Sequence, residues 1–136
     1  MASPLLNVRR MIDPIFKSDQ SLLAGKLLDA AVMRQQAIAS NIANAETPGY
    51  HRLDVSKDFA TQLRAQFQQG KMDLAETLKP TLTEDTQARS MRPDGNSVEM
   101  EHELLEMNRN TVEYNFLTDI VSSNFKQLKV AINGVV

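Results

Sequence analysis

Cysteine and tryptophan are absent from this 136-residue chain, and aromatic surface comes from only five phenylalanines and two tyrosines. The lack of cysteine excludes disulfides and thiolate metal sites. Few aromatics and only five glycines argue against a β-sandwich or barrel. No apolar run of about 18 residues occurs, so no membrane-spanning helix and no direct membrane insertion are expected. No apolar stretch of about seven residues follows the first basic residues, so a cleaved signal peptide is not expected either. Fifteen basic and 17 acidic residues give a net charge of −2, and they are spread along the chain. Without a basic stripe to neutralise phosphates, no nucleic-acid partner is expected.

Reactive chemistry is equally sparse. The two histidines, His51 and His102, sit in different segments. No pair of ligands stands at metal spacing and no Gly-rich phosphate loop is present, so neither a cofactor nor a metal is expected. Glu99, Glu101, Glu103 and Glu106 cluster near the start of a helical pattern. They read as a solvated face favoured by the helix dipole, not as catalytic carboxylates. The chain is not expected to be an enzyme.

What remains is abundant Leu, Ala, Gln, Glu, Lys and Met, in a length that suits one domain. Residues 1–20, broken by Pro4 and Pro14, read as a mobile N-terminal tail. Residues 21–45 form the first helix, about 38 Å long, with Asp19 or Ser21 as its N-cap. Its apolar stripe runs through Ala24, Leu27, Leu28, Ala31, Ile38, Ile42 and Ala45. Residues 46–96 form a turn and a largely irregular segment. Phe59, Leu63 and Phe67 recur every four residues and mark a short helix ending near Gly70. Short strands are expected at 77–78 and 81–83. Arg92-Pro93-Asp94-Gly95 suits a turn, and Asn96 with Glu99 suits a capping box.

A second helix, 97–133, would be about 55 Å long with Gly134 closing it. Met107, Tyr114, Val121, Leu128 and Val135 lie seven apart. Leu104, Thr111, Thr118, Phe125 and Ile132 follow the same period four positions on, giving an a/d seam. A further ribbon runs through Leu105, Val112, Phe116 and Ile120. One partner helix cannot cover both. Either segment 55–70 completes a three-helix bundle, or neighbouring copies cover the second face. Val121, Phe125, Leu128 and Ile132 form the far end of the seam and are expected to face a neighbouring subunit. The fold class is therefore all-α: two long terminal helices forming a coiled-coil-like pair, joined by an irregular segment with one short helix.

Asn41-Ile-Ala-Asn-Ala-Glu-Thr-Pro-Gly-Tyr50 ends the first helix. Pro48 disfavours helical geometry at Thr47, and Gly49 can supply the positive φ of a type II turn. As physics alone, this is a helix followed by a sharp change of direction. In wording it resembles the N-terminal signature of the flagellar axial proteins, the rod, hook and hook-associated subunits. Asn41, Asn44, Thr47, Pro48, Gly49 and Tyr50 carry that likeness, with Ala39, Ile42, Ala43 and Ala45 around them. The second family block resembles Asp94-Gly95-Asn96-Ser97-Val98, with Asn108-Arg109-Asn110 and Tyr114 in the helix that follows. Small size and the Asp-Gly-Asn block point to the proximal rod within the family.

That resemblance implies a structural subunit of the basal-body rod in the periplasm. It implies assembly with copies of itself and with other flagellar rod and basal-body proteins into a helical tube. The tube would transmit torque and enclose the export channel, and the flagellar export apparatus would deliver the subunit without a cleaved signal. The resemblance also implies interface roles for Asn41, Asn44 and Asn110. From the residues alone, exposed or capping asparagines remain the simpler reading. The alternative function is a soluble helical adaptor or export chaperone that binds a partner helix, with a small helical enzyme third.

Overall fold

A computed structural model describes residues 19–88 and 91–134. The expected tail at 1–18 and the last heptad position, Val135, lie outside the described residues. Asp19 and Gln20 already belong to helix α1, Asp19–Ala43. Asp19 therefore serves as a first-turn acid and Ser21 as a helical residue, not as the N-cap.

Helix α1 is the centre of the molecule, because both of its sides are covered. Ala30 packs with Phe59, Leu63 and Ala75 of the middle segment. Ala24 and Ala31 pack against Leu117 of the C-terminal helix. Alanine at these positions lets neighbouring helices approach closely and favours the helix itself. The chain then runs through β1 (Leu53–Val55), α2 (Lys57–Gln68), α3 (Met72–Thr77), β2 (Leu82–Glu84) and α4 (Met100–Asn133).

The middle segment is more ordered than the sequence reading expects. The side chain of Ser56 accepts from Asp58 N and caps α2. Gly70, with φ 67°, lets the chain turn into α3. β2 covers part of the expected 81–83 strand, whereas Thr77 closes α3. β1 pairs antiparallel with β2, Asp54 opposite Thr83. This segment lies on α1 and not on the second face of α4: the cluster around Phe59 and Leu63 contains no residue of α4. The three-helix-bundle alternative is thereby corrected.

Helix α4 starts at Met100, later than expected, and ends at Gly134 with φ 59°, whose N–H donates to Val130 O at 3.0 Å. No capping box forms. Glu99 occupies the N-cap without a side-chain bond, and Asn96 turns its amide elsewhere, as described below. The helix pair is antiparallel: Glu103 meets Asn41, Asn110 meets Ala31, and Asn124 meets Ser21.

The seam also differs from the expected one. The residues of α4 that are buried are Glu103, Asn110, Leu117 and Leu128, with Ile120 and Val121 packed beside Leu117. Leu104, Tyr114, Phe125 and Ile132 remain exposed. Of the expected seam, Val121 and Leu128 do pack inward, while along the rest of the packed face partnered polar groups take the place of apolar ones, and hydropathy scores those against burial.

Candidate functional site

The two sequence blocks singled out above meet in space. After α1, Tyr50 N donates to Thr47 O at 3.2 Å, closing the Thr-Pro-Gly-Tyr turn, and Gly49 has φ 72°. That geometry is the expected type II turn. Arg92 to Asn96 form a second turn, in which Gly95 N donates to Arg92 O and Arg92 N to Asn96 O, both at 2.8 Å. The turns are then joined backbone to backbone. Gly49 N donates to Asp94 O at 2.9 Å, and Ser97 N donates to Tyr50 O at 3.1 Å. A Cβ at Gly95, where φ is 83°, would lie 3.4 Å from the Gly49 Cα.

Asn96 is the pin of this junction. It is fully buried, and its Nδ2 donates to the carbonyls of Asn44, Ala45 and Thr47 at 3.0, 3.2 and 2.8 Å. Asn44 O also accepts from Thr47 N and Thr47 O from Tyr50 N, so the amide adds a further donor to carbonyls of the turn that follows α1. Its Oδ1 accepts from Val98 N at 2.8 Å, and the Asp94 carboxylate accepts from Asn96 N at 3.0 Å. Arg92 adds a guanidinium contact to Ala45 O. Asn44 donates to Ser40 O at 2.9 Å and accepts from Thr47 Oγ1, bracing the helix end. Pro48 lies on the exposed side of the turn.

Beneath the junction is a buried polar network. Asn41 is fully buried and uses both ends of its amide. Nδ2 donates to Leu53 O at 2.9 Å and to Glu103 Oε2 at 3.1 Å, while Oδ1 accepts from Leu53 N at 2.8 Å and from Tyr50 Oη at 3.2 Å. Arg52, 4% exposed, donates from Nε to Glu103 Oε1 at 2.5 Å and from Nη1 to Asp85 Oδ2 at 2.8 Å. Arg52 N donates to Ser97 Oγ, and Arg52 O accepts from Asp85 N. Burial alone would lower the Arg52 pKa. The hydrogen-bonded Glu103 carboxylate, helped by Asp54, reverses that and holds it above the ordinary arginine value.

Glu103 is thus a correction to the solvated-face reading: it is fully buried and paired. Arg52 was missed altogether. A signal for Glu103 existed, since it stands seven residues before Asn110 and fourteen before Leu117, on one helix face. Nothing local marked Arg52.

Farther along α4 the site residues separate. Asn110 is buried and donates to Ala31 O and Gln35 Oε1 at 2.9 and 3.1 Å. Beside it, Arg34 pairs with Glu113 at 3.2 Å. Val121 is half-buried against α1, Leu128 is buried, and Tyr114, Phe125 and Ile132 are exposed. Asn108 and Asn115 are exposed. Among the described residues no acidic or histidine cluster could hold a metal ion, and no helix is long and apolar enough to cross a membrane.

The two sequence blocks that carry the likeness to the flagellar axial subunits, the Thr-Pro-Gly-Tyr turn and the Asp-Gly-Asn turn, thus meet at one junction beside an antiparallel helix pair. The family model described as flagella basal body rod protein matches residues 28–51. The chain is 30% identical over 115 residues to the flagellar basal body rod protein FlgB of Escherichia coli K12, covering 73% of this chain and 82% of that protein. It is 36% identical over 111 residues to FlgB of Aeromonas hydrophila, covering 74% and 83%. With FlgB of Bacillus subtilis it shares 26% over 113 residues. The chain belongs to the FlgB family of flagellar basal-body rod proteins, which are structural subunits and not enzymes.

Proposed function

We propose that this chain completes its apolar burial by packing side by side with neighbours in the wall of the proximal rod. Those neighbours are copies of itself and other rod and basal-body proteins, arranged as a helical tube that transmits torque around the export channel. The observation that supports this reading is the apolar surface of α4. Leu105, Val112 and Phe116 are exposed along one side, Val112 by 69% and Phe116 by 64%. Leu104, Tyr114, Phe125 and Ile132 are exposed along another, Phe125 by 67%. Two different apolar sides on one helix suit a heterologous, non-closing assembly, which needs two distinct patches per subunit. Burial of such side chains contributes roughly 1.5–3 kcal/mol each. The same reading has the subunit delivered by the flagellar export apparatus to the periplasmic rod without a cleaved signal.

Phe116→Asp with Phe125→Asp tests the reading, since both rings are exposed. Leu128, though in the expected stripe, is buried and would confound stability with assembly. The purified double variant should melt within about 0.5 kcal/mol of the parent, as surface substitutions do. Cells carrying it at normal levels should lack rods in isolated basal bodies and should not swim. Swimming cells, or a variant that unfolds, would overturn the proposal.

A further inference from the structure

We infer that the polar residues on the packed face of α4 are a register lock: Glu103, Asn110 and Asn124 select one axial alignment of α4 on α1. Apolar packing alone would leave other alignments close in energy. The packed face repeats every seven residues, through positions 103, 110, 117 and 124. A slide of one heptad, about 10 Å, would lay that face onto a shifted copy of itself. On α1 the fully buried residues of that contact are the small Ala24 and Ala31, with Leu27 and Leu28 only partly buried at its margin. Leu117 is the single large apolar residue among the four.

The three polar residues instead have individual addresses. Glu103 takes Asn41 Nδ2 and Arg52 Nε. Asn110 reaches Ala31 O and Gln35 Oε1. Asn124 donates to Ser21 Oγ at 2.8 Å. A one-heptad slide that placed Asn110 opposite Arg52 would remove the α4 carboxylate from a buried guanidinium and leave polar groups unpaired. A polar group in a helical seam gives up stability and in return penalises every alignment but one. The consequence is that the ribbons of α4 stand at a fixed offset from the turn junction. The lock is a property of the isolated chain and does not depend on the assembly proposed above.

The absence of cysteine permits a direct test. Gln36→Cys and Asn115→Cys, both at exposed positions, carry a pair of spin labels whose separation is read by pulsed dipolar spectroscopy. The parent should give one distance. Combining Glu103→Leu, Asn110→Leu and Asn124→Leu should add a second distance population while helical content is retained. Asn110→Leu with Asn124→Leu should melt no lower than the labelled parent. A single, unchanged distance in the folded triple variant overturns the lock. If the triple variant loses its helical signal, adding Arg52→Met, which removes the guanidinium that Glu103→Leu leaves unpaired, decides: a broadened or second distance supports the lock, and an unchanged one overturns it.

Discussion

An amide that donates to three main-chain carbonyls has no substitute of its own size. Asn96→Ala should cost about 1–3 kcal/mol in urea unfolding, since it removes the donor shared by three carbonyls and the acceptor of the buried Val98 N–H. Asn96→Asp should cost more, because it turns a carboxylate oxygen toward those same carbonyls. At the paired turns, Gly49→Ala meets no atom within 4 Å, so only its φ of 72° opposes the change. That should cost about 1 kcal/mol. Gly95→Ala, at φ 83° and with its Cβ in ordinary contact with the Gly49 Cα at 3.4 Å, should cost about as much for the same reason. Glu103→Ala should cost about 3–5 kcal/mol, the range for breaking a buried ion pair by removing one partner. The raised Arg52 pKa contributes stability below the ordinary arginine value and loses it only above. Deprotonation of Arg52 should therefore give no unfolding step between about pH 5 and 9. The Thr-Pro-Gly-Tyr turn was legible because each residue's backbone preference is local. The Arg52–Glu103 pair was not, because its partners come from segments that only the fold brings together.

Among the elements, α1 has two covered sides and α4 has one. Leu63→Ala, deep in the contact between α2 and α1, should cost about 2–5 kcal/mol. Amides from 103 to 121 on α4, opposite α1, should exchange slowly, and those beyond Leu128 quickly, as measured by hydrogen exchange. Uniform protection to Asn133 would contradict this picture. The long helices, the α2 helix and the closing Gly134 were legible because spacing and breakers act within a few residues. The choice of seam was not. Hydropathy favours Leu104, Tyr114 and Phe125, yet the packed face holds Glu103 and Asn110, whose burial depends on partners elsewhere. The capping box failed because the helix starts only at Met100: Asn96 Oδ1 accepts from Val98 N before the helix begins, while its Nδ2 serves three carbonyls of another segment.

At the scale of the whole molecule, the chain leaves the helix pair at Tyr50 and re-enters it at Ser97, and these two residues are hydrogen-bonded to each other. The intervening segment is therefore a loop whose neck is already tied. For a flexible loop with joined ends, doubling the length adds only about 0.6 kcal/mol of closure entropy. An insertion of flexible Gly/Ser sequence after Ala88 should accordingly leave the helix pair and the melting midpoint almost unchanged. The same insertion within Asn44–Gly49 should loosen the neck and destabilise the pair. In architectural terms, the knot between the turns separates a two-helix handle from an outer cassette, so that the size of what hangs outside can vary while the two-helix grip does not.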